Sequence, residues 1–174
     1  MRYATITITA TALLALAVAA SAAVLPRNTI IPFTVVQRAF PEVTREASVG
    51  ANATAVGKPT ATLSVICANS NATKKVTITV DQYTSASAAV SAYQEAVQRS
   101  KAVPEYKPIT VPNFGQKSFG GKVTRGTETH VGVGALSGTL IIGATLAGYD
   151  ATSANVAKLV NVARTQLARS VAHK

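Results

Sequence analysis

The sequence predicts an α+β domain: a mainly antiparallel β-sheet with two or three helices packed against it, in the order α-β-β-α-β-β-β-β-α. Three observations carry that reading. Two alternating runs, at residues 60–69 and 74–83, flank a turn; a glycine-punctuated stretch of β-formers fills residues 117–146; and apolar residues recur at helical spacing in three places, most regularly near the C-terminus. The chain of 174 residues is one domain's length, 48% hydrophobic and 14% charged, with a mean hydropathy of +0.26. Such a composition argues against long disordered segments and supports a packed core.

The first residues carry an export signal. Arg2 gives a positive start, residues 10–20 (ATALLALAVAA) form an uncharged apolar run, and Ala20-Ser21-Ala22 is a small-x-small cleavage motif. We expect a signal peptide at residues 1–22, cleaved after Ala22; the alternative is an uncleaved anchor, since the uncharged stretch of residues 3–26 is long enough to span a bilayer. With the peptide removed, a secreted or periplasmic location follows, with no stable transmembrane segment.

In the remainder, residues 23–31 read as an exposed lead-in. Pro32 then takes a first-turn position, and Phe33, Val36 and Phe40 follow at helical spacing until Pro41. Residues 42–59 lack clean periodicity and read as loop or irregular strand. In the strand at 60–69, Ala61, Leu63, Val65 and Cys67 share one face; after the turn Asn69-Ser70-Asn71-Ala72, Val76, Ile78 and Val80 alternate with Thr77, Thr79 and Asp81. Together the two strands make an antiparallel hairpin.

Thr84 or Ser85 caps a helix with the stripe Ala86, Ala89, Val90, Tyr93 and Val97, ended by Pro104. Three prolines around residues 109–111 suit an edge strand. Strands follow at about 117–125, 128–136 and 139–146, with Ser137-Gly138 turning the last pair. A closing helix, capped by Thr152 or Ser153, carries Val156, Leu159, Val160, Ala163, Leu167 and Val171 on one face, with Arg169, His173 and Lys174 near the negative end of its dipole. The expected domains are thus 1–22, a signal peptide; 23–59, an N-terminal helix and irregular lead-in; and 60–174, the sheet-and-helix body, forming one globular unit with 32–59.

This order of elements, with the central Tyr93, the segment Val111-Pro112-Asn113-Phe114-Gly115-Gln116-Lys117, a β-meander through His130, and the Gly148-Tyr149-Asp150 turn, resembles the small exported α/β domains of actinobacterial lipoproteins. It is also similar to the extracellular sensor domains of membrane Ser/Thr protein kinases of those bacteria. The resemblance covers about residues 60–171 and implies a binding or sensing module without enzymatic activity.

Chemistry-bearing motifs are few. One cysteine, two histidines and seven carboxylates spread over the chain do not suit a disulfide scaffold or a metal centre, and no cofactor is expected. Cys67 reads as a buried thiol on the apolar strand face, ahead of an intermolecular disulfide or a nucleophile. Gly132-Val133-Gly134 lacks the rest of a nucleotide-binding loop. Instead His130, Gly132 and Gly134 fall on one face of a strand, where the missing side chains let a helix or a ligand approach the backbone. Glu128 shares that face and completes the only acid-base pair worth naming. These four are the candidate ligand-binding residues. Asn52-Ala53-Thr54 and Asn71-Ala72-Thr73 match the glycosylation acceptor pattern.

Seventeen Lys and Arg against seven Asp and Glu give a net charge of +10. The charges are dispersed and no aromatic residues interleave with them, which argues against nucleic acid and leaves anionic envelope polymers, lipid headgroups or small molecules as partners. The favoured function is an exported, non-enzymatic binding or sensing module for an apolar or anionic small molecule or a cell-envelope component. The alternative is an envelope structural or partner-docking protein that uses its basic surface.

Overall fold

The computed structural model describes residues 22–172. The expected signal peptide therefore lies outside the described residues except for Ala22, as do His173 and Lys174. Eight strands and three helices follow in the order β1 (Ala23–Val24), α1 (Phe33–Ala39), β2 (Arg45–Gly50), β3 (Ala61–Ala68), β4 (Lys75–Gln82), α2 (Ala86–Lys101), β5 (Lys107–Pro108), β6 (Lys117–Arg125), β7 (Glu128–Ser137), β8 (Leu140–Ala147) and α3 (Ser153–Ala172), with a single 3-10 turn at Arg27–Thr29. They form one sheet in the order β1-β3-β4-β8-β7-β6-β5, and β2 also pairs with β3. Only the β1–β3 pairing is parallel. The α+β class and the central meander are those the sequence predicts.

One face of the sheet makes the main core. Leu63, Val65 and Cys67 of β3, Val76, Ile78 and Val80 of β4, and the alternate aliphatic positions of β7 and β8 are buried beneath α1 and α3. Alternation places them there, because in every strand the intervening residues point to the opposite face. Cys67 is a free thiol, fully buried, and burial pushes its pKa up to about 11, with the nearby Glu46 adding to the rise. It has no thiolate character to react with.

Several expectations need correction. The lead-in at 23–31 is not an exposed tail: β1 pairs with β3, and Ile30 and Ile31 are each 1% exposed. Of the loop or irregular strand expected at 42–59, residues 45–50 are the irregular strand, β2, whose register shift between Glu46 and Ser48 and largely solvated faces leave no visible period. The edge strand lies at Lys107–Pro108, just before the apolar run, while Ile109 and Val111 turn their side chains over Gly120. In α2, Ala86 is exposed and the buried residues are Ala89, Ala92 and Tyr93.

Val171 is also misplaced in the expected stripe of α3, being 52% exposed, while Gln166 and Ser170 are buried. The surface facing this end of α3 is the backbone of the lead-in, so a polar partner is required. Gln166 Oε1 accepts from the Ile31 amide at 2.9 Å, and Gln166 Nε2 donates to the Thr29 carbonyl at 2.8 Å and to Ser170 Oγ at 2.7 Å. Arg169 donates to the Asn28 carbonyl at 2.7 Å. At the other end of α3, Thr152 Oγ1 accepts the Asn155 amide at 3.2 Å, as an N-cap does.

Candidate functional site

The second face of the sheet carries much less side-chain volume. Pairing aligns Thr79, Gly143, Gly134 and Phe119 across β4, β8, β7 and β6, and Thr77, Thr145, Gly132 and Gly121 in the next rank. Four glycines therefore meet at the centre of three adjacent strands. Helix α2 covers only one end of this face, where Ala89, Ala92 and Tyr93 pack with Tyr83, Leu136 and Ile141. Tyr93 meets Phe119 edge to face at 5.5 Å. Beyond that contact α2 presents only Ala96 and Ser100 towards the glycines, and a cleft of about 370 Å³ opens between helix and sheet. That volume lies in the range of small-molecule sites.

The glycines do not all serve the cleft in the same way. A Cβ at Gly134 would come within 2.5 Å of the Phe119 ring, one at Gly121 within 2.1 Å of the Tyr106 ring, and one at Gly143 within 2.5 Å of Thr79 Oγ1. These three make room for neighbouring side chains that form the walls. Gly132 is different: a Cβ there would touch only Thr145 Cγ2, at 3.5 Å, an ordinary van der Waals contact. Packing does not forbid a side chain at Gly132; its absence keeps the floor open.

The cleft is mostly apolar, with Val56, Val123 and Ile141 beside the aromatic rings. At one end lies Asp81, 5% exposed. Asn52 Nδ2 donates to both its carboxylate oxygens at 2.9 Å, the Asn52 amide donates to Thr62 Oγ1 at 3.1 Å, and Asn52 Oδ1 accepts from the amide and hydroxyl of Thr54. Tyr83, also at this end, is tied to the Val56 carbonyl at 2.7 Å. Burial raises the Asp81 carboxyl to about 6, only partly offset by the Asn52 hydrogen bonds. A buried carboxyl with no cationic partner in a cleft is a recognised mark of a functional site.

Of the residues singled out from sequence, His130, Gly132 and Gly134 line this cleft and Glu128 does not. Glu128 Oε1 stands 3.2 Å from His130 Nε2, with both side chains about half exposed at the hairpin end. His130 and Asp81 lie at opposite ends of the cleft. Their ranks are six strand residues apart, roughly 20 Å. The two cannot share a proton. Among the described residues no group of three or more His, Cys, Asp or Glu is placed to hold a metal, and no helix is long and apolar enough to cross a membrane. The amide of Asn52 is engaged by Asp81, whereas Asn71 is exposed in the β3–β4 turn.

Asp81, Tyr106 and Phe119 were not legible as site residues. Asp81 continues the polar alternation Thr77, Thr79 and reads as a solvated strand face; nothing local reveals that residues 52–56 fold back over it.

The raised Asp81 pKa has a consequence for stability. The unfolded chain loses the proton near 3.8, the folded chain only near 6, so the native state binds more protons between these values and stability falls as pH rises through them. Asp81→Asn removes this dependence. Relative to the parent, the variant should gain roughly 3 kcal/mol in unfolding free energy between pH 3.5 and pH 7.5. Urea unfolding at both pH values measures the difference, and a parent-to-variant gap that does not change with pH would contradict it.

No protein-family model matches the sequence, and no curated protein is significantly similar to it. Among solved structures the fold is similar to that of the extracellular domain of PknH from Mycobacterium tuberculosis, with a TM-score of 0.53 and 8% identity, covering 80% of this chain and 93% of that one. The resemblance to kinase sensor domains read from the order of elements thus holds at the level of fold.

Proposed function

We propose that this protein is an exported, non-catalytic binding module that holds a small molecule with an apolar body in the cleft between α2 and the glycine face of the sheet. The observation that carries this reading is Gly132, a position where a side chain would fit and none is present. Export is supported by the N-terminal signal pattern and accords with the extracellular origin of the structurally similar domain. Binding without turnover is supported by the placement of the ionisable groups, because Asp81 and the Glu128–His130 pair lie too far apart to act on one bond.

The test is Gly132→Leu, which extends an isobutyl group into the cleft while meeting only ordinary contacts at its Cβ. Native mass spectrometry of protein purified from its own host should show a retained small molecule on the parent and none on the variant, with the two equal in stability to within about 1 kcal/mol. Equal retention by both would place the ligand elsewhere. Docking to anionic envelope polymers is a second reading, supported by the net charge of +10; such association weakens steeply with salt and is indifferent to Gly132→Leu.

A further inference from the structure

We infer that the cleft selects an organic cation, a protonated amine on an apolar body, with Asp81 as its counter-ion. The inference rests on the cleft being the binding site and goes beyond it by naming the ligand's charge. Three features lead to it. The buried charged group among the lining residues is an acid, and no lysine or arginine lines the cleft. The Asp81 oxygens each accept one hydrogen bond, from Asn52, and a carboxylate has capacity for about two more. The walls bring Phe119, Tyr83 and Tyr106 to the same space, and ring faces attract cations as well as apolar groups.

An anion, one of the classes the basic composition suggests, meets the opposite chemistry here. It would enter a site whose buried acid repels it and which offers no cationic side chain to pair with. The global charge of +10 does not override this, since exposed charges are screened over about 8 Å at physiological ionic strength while a counter-ion inside the cleft is in direct contact. Burial disfavours the Asp81 carboxylate, raising its pKa to about 6, so an ammonium paired with it offsets that cost and stabilises the ionised state. Asn52 from the segment after β2, Thr62 of β3, Ile141 of β8 and Tyr83 after β4 surround the carboxyl, and none carries a positive charge. His130 stands roughly 20 Å away at the opposite mouth, beyond the screening length.

Three probes of similar shape separate the possibilities: 2-phenylethylamine, 2-phenylethanol and 3-phenylpropanoate, titrated calorimetrically into the parent, Asp81→Asn and Gly132→Leu. The parent should bind the amine at least about tenfold more tightly than the alcohol, and the carboxylate most weakly. Asp81→Asn should bring amine and alcohol level, and Gly132→Leu should abolish both. In the parent alone, amine affinity should rise about fivefold or more between pH 5 and pH 7.5 as Asp81 ionises, with alcohol affinity unchanged, a readout that stands even if Asp81→Asn folds poorly. Equal binding of amine and alcohol, or tighter binding of the carboxylate, overturns the charge assignment while leaving the cleft as the site. Binding of no probe, or binding untouched by Gly132→Leu, overturns the cleft reading and the assignment together.

Discussion

Gly148→Ala should destabilise the fold by about 3 kcal/mol or more, because two independent costs fall on one methyl group. Gly148 follows β8 with φ of +75°, in the region that side chains with a Cβ rarely adopt. A Cβ built there would also lie 1.9 Å from the Thr73 carbonyl oxygen and 3.4 Å from the Lys74 Cα, and both belong to backbone. The clash cannot be relieved by a rotamer change. Relief requires the β3–β4 turn to move, and that turn is held by the Asn69 amide bonded to the Lys74 carbonyl and by Asn69 Oδ1 accepting the Lys74 amide. Tyr149, next in sequence, packs edge to face on Phe40 at 5.4 Å, so a shift at 148 is passed to the main core. Thermal or denaturant unfolding measures the loss. Gly126→Ala is the matched control: it has φ of +59° but nothing within 4 Å of its added Cβ, and so carries the backbone cost alone. Equal losses in the two variants would show that the steric contact with Thr73 is not felt.

Leu159→Ala should cost 2–5 kcal/mol, by lost transfer free energy and by the cavity left between α3 and the sheet. Leu159 is completely buried in the cluster formed by α1, α3 and the aliphatic sheet face. For a domain of this size the loss corresponds to a fall in Tm of about 10 °C. Val171→Ala on the same helix removes a half-exposed side chain and should change stability by less than about 0.5 kcal/mol. A Leu159→Ala variant as stable as the parent would mean that α3 is peripheral to the core.

The contrast between these two residues shows how far sequence reasoning reaches. Leu159 and Val171 fit the same helical template, and periodicity identifies the helix well, but it cannot say that the lead-in lies across the last turns of α3. Gln166 is the residue that marks this, and a glutamine at a core position is read from sequence as solvent-facing. The strands of the central meander were legible because each is rich in β-formers and bounded by turn residues. Strand β2 was not, since its register shift and its exposure on both faces erase the period.

For the site, the glycine face of β7 was visible as His130, Gly132 and Gly134 on alternate positions, and their proximity to a helix or ligand followed from pleating alone. What remained hidden was long-range. Gly143 and Gly121 join the patch only through pairing register, Phe119 and Tyr106 only through closure of the β5–β6 edge, and Asp81 only because residues 52–56 fold over the end of β4. Charge was misleading in the same manner: a whole-chain balance describes the outer surface and says little about a single buried acid.

The hydrogen bonds between Gln166 and the backbone of Thr29 and Ile31 span more than 130 residues of sequence and tie the N-terminal lead-in to the closing helix. As the chain is made from its N-terminus, the lead-in emerges early and can pair through β1 with β3, but residues 29–31 gain their hydrogen bonds to Gln166 only once α3 has followed. Ile30 and Ile31, buried in the finished fold, pack into the core cluster that α3 completes. Contacts of such separation carry a large loop-closure cost and slow the search for the native arrangement. Residues 29–31, early to appear, are therefore among the last to be fixed, and a chain cut short before residue 166 lacks the clamp that holds them.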